Sequence, residues 1–155
     1  MEHFEPVNIL LVEDDPGDQK LIKTSMLEQK LTNRLCIVSS GEEALEYLAQ
    51  SKNGNSDTPW PDLILLDLNM PGMGGKEFLK RIKSGEDFNM IPVVILTTSD
   101  SEKDIIESYK LQAAGYVRKP VRLDSFCEVT KEISEYWFTL CRRVPRRQLS
   151  CTKSR

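Results

Sequence analysis

The chain has 155 residues, 39% hydrophobic and 29% charged, with a formal net charge of −3. That size suits one globular domain with a real core, and the charge balance gives no electrostatic reason for a nucleic-acid or anionic-membrane partner. No apolar stretch is long enough for a transmembrane helix, residues 1–6 lack the basic and apolar regions of a signal peptide, and Cys36, Cys127, Cys141 and Cys151 show no metal-like pairing, so a reducing cytoplasm is the simplest setting.

In chain order, residues 7–12 (VNILLV) read as a first strand that stops at three acids, Glu13, Asp14 and Asp15. Pro16 suits a first helical position, with Asp15 as N-cap. The helix that follows carries Leu21, Ile22, Ser25, Met26 and Gln29 at helical spacing. Residues 35–38 form a second strand, in which Cys36 is a small buried hydrophobe. Ser40 to Glu43 has capping-box spacing and opens a second helix. Residues 51–61 are polar and rich in turn formers, which predicts a long surface loop ending in Trp60 over a core edge.

Residues 63–66 (LILL) are a third strand that ends abruptly in Asp67. The loop Asn69-Met70-Pro71-Gly72-Met73-Gly74-Gly75 cannot continue a strand. A third helix starts near Gly75, with Phe78, Leu79 and Ile82 inward. Residues 92–96 make a fourth strand ending at Thr97, and Ser99 to Glu102 reads as a capping box for a helix carrying Ile105, Ile106 and Tyr109. Residues 115–117 are a short fifth strand before Arg118-Lys119-Pro120. A last helix over residues 123–140 places Phe126, Val129, Ile133, Trp137 and Leu140 at helical spacing. Residues 1–6 are an extension, residues 7–140 the domain and residues 141–155 a loosely ordered basic tail.

Strands alternating with helices imply parallel βαβ units, and near-continuous apolar strands imply a sheet covered on both faces. The expected fold is α/β: a flavodoxin-like, doubly wound (βα)5 sheet, whose strand order 2-1-3-4-5 is adopted from folds of that class. Ligands bind such sheets beyond the carboxyl ends of the strands, at the switch point between the first and third. Five residues distant in sequence converge there: Glu13, Asp14, Asp67, Thr97 and Lys119.

Three carboxylates in one crevice repel each other, and a hard divalent cation relieves the repulsion. Mg²⁺ is the expected ion, with Asp14, Asp67 and the backbone carbonyl of Asn69 as ligands and Glu13 acting through water. Asp67 can also accept a phosphoryl group as an acyl phosphate. The Lys119 ammonium would neutralise the phosphoryl oxygens and the Thr97 hydroxyl would donate to one of them. Two other readings stay open at this point. One is a Mg²⁺-dependent phosphoaspartate hydrolase, although Asn69 stands where such enzymes carry a second acid. The other is a degenerate module that only binds partners.

The motifs Leu11-Val12-Glu13-Asp14, Leu66-Asp67-Leu68-Asn69-Met70-Pro71, Ile95-Leu96-Thr97-Thr98 and Tyr116-Val117-Arg118-Lys119-Pro120 resemble the receiver domain of two-component response regulators over residues 7–140. The stretches Trp60-Pro61-Asp62-Leu63, residues 91–99 and Glu135-Tyr136-Trp137-Phe138 look most like the single-domain regulators of bacterial and cyanobacterial phytochrome kinases. The resemblance implies that Asp67 takes a phosphoryl group from a sensor histidine kinase, a bacteriophytochrome being the candidate. It implies that Thr97 moves toward the phosphate and Tyr116 turns inward, which switches the surface of the fourth helix, fifth strand and fifth helix. Tyr136, Trp137 and Phe138 are consecutive, so one helix cannot bury all three. At least one faces out, and a homodimer through this surface is expected. Two departures stand out. Gly74-Gly75 replaces a frequent Asp-Gly, which removes a carboxylate from a turn or helix cap, and Glu13-Asp14 replaces Asp-Asp.

Overall fold

The computed structural model describes residues 6–28, 33–137 and 141–145. The elements run β1 (Val7–Val12), α1 (Pro16–Leu27), β2 (Asn33–Val38), α2 (Gly41–Lys52), β3 (Leu63–Leu66), α3 (Gly75–Ser84), β4 (Val93–Thr97), α4 (Glu102–Lys110), β5 (Gly115–Arg118) and α5 (Leu123–Glu135). All strand pairs are parallel, in the order β2-β1-β3-β4-β5. The expected fold class and strand order hold.

The apolar runs are continuous because each strand has two covered faces. Ile9 and Leu11 of β1, Leu63 and Leu65 of β3, and Val94 and Leu96 of β4 pack with Ile22 and Met26 of α1 and Phe126 and Ile133 of α5. The alternate residues Leu10, Val12, Ile64, Leu66, Val93 and Ile95 pack with Leu48 of α2 and Phe78, Leu79 and Ile82 of α3. Side chains alternate across a strand, so two cores with one sheet between them need apolar residues at every position.

Local chemistry sets the helix starts. Asp15 caps α1 by accepting from the Asp18 N–H at 3.3 Å, with Pro16 at the first helical position. Ser40 caps α2 by accepting from the Glu43 N–H at 3.1 Å. The return bond goes one residue earlier than a capping box requires, from the Ser39 N–H to Glu43 Oε1 at 3.2 Å.

Three expectations change, and α4 is lightly packed. The cap of α4 is Ser101, not Ser99: the Asp104 N–H donates to Ser101 Oγ at 3.1 Å, while the Ser99 hydroxyl donates to the Asp104 carboxylate. Ile106 and Tyr109 of α4 are exposed, and the helix buries only Ser108. The loop after α2 begins at Asn53, because Ser51 and Lys52 are helical, and it is pinned. Tyr47 Oη donates to the Pro59 carbonyl at 2.7 Å, Asn8 Nδ2 donates to the Trp60 carbonyl at 3.3 Å, and the Trp60 ring lies 5.5 Å from that of Phe88. The regular part of α5 ends at Glu135 in a wider turn, where the Cys141 N–H donates to the Tyr136 carbonyl at 2.7 Å.

Arg143 is also no solvated tail residue, since its guanidinium lies 3.4 Å from the buried Asp62 carboxylate. Gln29, Phe138, Leu140 and the basic residues from Arg146 on lie outside the described residues.

Candidate functional site

The sheet's register assembles the site. Val12 pairs with Leu66, so Glu13 and Asp67 emerge side by side where β1 and β3 end. The Asp67 N–H donates to the Val12 carbonyl at 3.0 Å, and the Glu13 N–H donates to that of Val38 at 3.0 Å. Thr97 closes β4, and the Lys119 N–H donates to its carbonyl at 2.6 Å. The carboxyl ends of the strands thus carry all five residues singled out in the sequence.

Three of them form a donor set. Single carboxylate oxygens of Glu13, Asp14 and Asp67 lie within 4.8 Å of one another, with Glu13 and Asp67 buried and Asp14 half-buried. Glu13 is only 1% exposed, Asp67 6% and Lys119 4%. Ions this dry persist only when paired. The Lys119 ammonium touches the Glu13 carboxylate and donates to Asp18 Oδ2 at 2.8 Å and Asp67 Oδ2 at 3.3 Å. Burial pushes the Glu13 carboxyl up to about 7, with the Lys119 hydrogen bond opposing and the Asp67 charge adding to the rise. For Lys119, burial works against the ammonium, but hydrogen bonds with Asp18 and Glu13 and the nearby carboxylate charges outweigh it and hold the group above its ordinary value. One ammonium faces three acids of the donor set and its flank. A hard, oxygen-seeking divalent cation fits that excess of carboxylate.

The loop after Asp67 is tightly held. The Asn69 N–H contacts Asp67 Oδ1 at 3.3 Å, and the exposed Asn69 amide lies 3.5 Å from the fully buried Thr97 hydroxyl. The Met73 N–H donates to Glu42 Oε2 of α2 at 3.2 Å. At Gly75, a Cβ would sit 2.3 Å from the Asp67 carbonyl oxygen and 2.8 Å from Leu68 Cα, so the loop can pass here only over glycine. Gly74 is the N-cap of α3 and supplies no side-chain cap bond, as the missing carboxylate predicts.

The far side of Thr97 is wired to α4. Tyr116 is half-buried, packs on the core, and donates from Oη to the Ser99 carbonyl at 2.9 Å. Lys76, at the start of α3, binds both Asp104 and Glu107 of α4. Tyr136 is exposed, while Trp137 is partly buried against the α1–α5 core, edge-on to Tyr136 at 5.3 Å. Phe138 is outside the described residues.

Three contributors escaped the sequence reading. Asp18 is an acid in the first turn of α1, and its distance of 101 residues from Lys119 hides the pairing. Lys76 carries no sequence signal, since its partners Asp104 and Glu107 lie 28 and 31 residues away. Gly75 was noted, but its clash is with backbone that only the fold brings near.

The family described as the response regulator receiver domain matches residues 9–131. The chain belongs to the response regulator receiver family. Its sequence is 38% identical to the response regulator Rcp1 of Synechocystis sp. over 136 residues, covering 88% of this chain and 92% of that protein. Among solved structures, the phosphorylated cyanobacterial phytochrome response regulator RcpA superposes with a TM-score of 0.85 at 37% identity, over 91% of this receiver and all of that chain. The Mn²⁺-bound form of Rcp1 superposes with a TM-score of 0.83 at 36% identity, over 90% of the receiver and all of that chain. The receiver is therefore a component of two-component signalling, with a site whose acidic cluster suits a divalent metal.

Proposed function

We propose that the receiver accepts a phosphoryl group on Asp67 from the phosphohistidine of a sensor histidine kinase, of the phytochrome type that its relatives' names suggest. The observation that carries this reading is the meeting of Glu13, Asp14 and Asp67 around one crevice, with the Lys119 ammonium inside it.

In the transfer, an Asp67 carboxylate oxygen forms a bond to phosphorus as the donor's nitrogen–phosphorus bond breaks. Asp14, Asp67 and the Asn69 carbonyl would hold Mg²⁺, with Glu13 reaching it through water, and the bound ion would supply positive charge against the phosphoryl oxygens. Lys119 supplies the same from the protein side, and the Thr97 hydroxyl donates to one phosphoryl oxygen. No carboxylate stands two residues after Asp67, where a phosphoaspartate hydrolase keeps its general acid; Asn69 is there instead. The receiver then loses its phosphate slowly and is not a turnover enzyme.

The added charge and acceptor oxygens draw Thr97 toward Asp67. Thr97 moves away from α4, and Tyr116, now bonded to Ser99, follows inward. The output is a contact surface on α4, β5 and α5, read in the cytoplasm by a second copy of the chain through exposed groups that include Tyr136. Trp137 and Phe138 belong to the same predicted interface.

Phosphotransfer profiling tests the reading. Purified receiver is mixed with phytochrome-type kinases carrying ³²P-phosphohistidine. The expected result is rapid, Mg²⁺-dependent transfer to the wild-type chain and none to Asp67→Asn. Transfer that survives Asp67→Asn would contradict it.

A further inference from the structure

Lys119 has more partners than its role at the phosphoryl group explains. An ammonium has three N–H donors. In this structure they face three carboxylates: Glu13, Asp18 at 2.8 Å and Asp67 at 3.3 Å. The Asp67 contact is the longest of the three. The ammonium is drawn toward β1 and α1, away from the acceptor.

Two of the three partners belong to the metal-binding set, and one does not. Glu13 and Asp67 share the acidic cluster with Asp14, whereas Asp18 lies outside it. A cation entering the cluster competes with Lys119 for Glu13 and Asp67 and leaves Asp18 in place. The placement of Asp18 is firm. It sits in the first turn of α1, where the Asp15 cap accepts from its N–H, and its side chain is 22% exposed while the ammonium it binds is 4% exposed. A short charge-assisted bond to a dry ammonium is among the stronger polar contacts available.

We infer that Asp18 is a positioning residue that holds the Lys119 ammonium at rest against α1, so that a phosphoryl group on Asp67 must draw the ammonium away from it. The inference rests on the phosphoacceptor role proposed for Asp67. Among the described residues the Asp18 carboxylate bonds to Lys119 and not to Asp67 or the acidic cluster, so it acts through Lys119. It sets how completely the ammonium closes on the phosphoryl oxygens, and hence how strongly the phosphorylated state is held.

Beryllofluoride, a phosphoryl mimic that binds the acceptor carboxylate, reads this directly. Its affinity is measured by titration calorimetry at saturating Mg²⁺. Asp18→Asn should bind it about fivefold more tightly than wild type, the size expected when one competing ionic hydrogen bond is removed. Asp18→Glu, which keeps the carboxylate, should behave like wild type. In a Lys119→Met background the Asp18→Asn effect should vanish, because the partner it acts through is gone. An Asp18→Asn affinity equal to wild type overturns the inference. So does a gain that persists without Lys119, which would be a general charge effect. If the unsubstituted chain binds no beryllofluoride at all, the reading of Asp67 itself fails, and the Asp18 inference with it.

Discussion

At Gly75 the backbone of the acceptor strand leaves no room for a side chain, and this residue fixes how the loop after Asp67 turns into α3. Gly75→Ala should displace that loop, slow phosphoryl labelling and lower the thermal midpoint, while Gly74 has space and an N-cap position to fill. Gly74→Asp should stabilise the fold by a few tenths of a kcal/mol, roughly the gain of an Asp cap over glycine; a loss on chemical denaturation would show that the loop, not the cap, governs this position. At this scale the sequence was most informative where chemistry is unusual. Asp67, Glu13, Asp14, Thr97 and Lys119 were legible because polar groups close the apolar runs and all five fall at the carboxyl ends of the strands. Asp18 was not, since an acid in a first helical turn already has an ordinary explanation in the helix dipole. Only the packing of α1 against α5, next to the turn that carries Lys119, brings it to that ammonium.

Among the elements, the strands were legible because a sheet covered on both faces demands unbroken apolar runs, whereas their order was adopted from folds of that class and holds. The register that brings Glu13 beside Asp67 follows from β1 pairing with β3. Helix α4 is lightly packed, with Ile106 and Tyr109 about half exposed. Lys76 of α3 also ties it down, through Asp104 and Glu107. The hydrogen bonds from Lys76 and Ser99 keep the Asp104 carboxyl below its ordinary range. A carboxyl depressed in the folded state stabilises above its unfolded value and loses that contribution as pH falls through the folded one. Lys76→Met should therefore lower the thermal midpoint at neutral pH, with the pair to Asp104 worth at most about 1 kcal/mol at this exposure. The gap from wild type should close below about pH 4, where the unfolded carboxyl is protonated. A gap of constant size on acidification would contradict this account of α4. The same weak anchoring suits α4 to a switching role, because an element held by few buried contacts shifts at small cost.

Over the whole molecule, switching is a matter of populations. If the resting arrangement is favoured by a few kcal/mol, the phosphoryl group must prefer the alternative by a comparable amount to switch it. The exposed apolar groups on α4 and α5, Ile106, Tyr109, Leu123 and Tyr136, are where that preference would be read by a second copy. Tyr109→Glu should weaken dimerisation of the beryllofluoride-bound chain at least tenfold, a loss of about 1.4 kcal/mol or more, as measured by sedimentation equilibrium, without changing the fold's stability appreciably. An unaltered dimer would place the interface elsewhere. All of this depends on one chemical claim, that Asp67 is a stoichiometric phosphoacceptor. Intact-mass spectrometry of the chain after incubation with acetyl phosphate and Mg²⁺ tests it most directly. The account predicts one phosphoryl group per chain, lost on removal of Mg²⁺ and absent in Asp67→Asn; rapid multiple turnover of acetyl phosphate, or a phosphoryl group retained in Asp67→Asn, would contradict it.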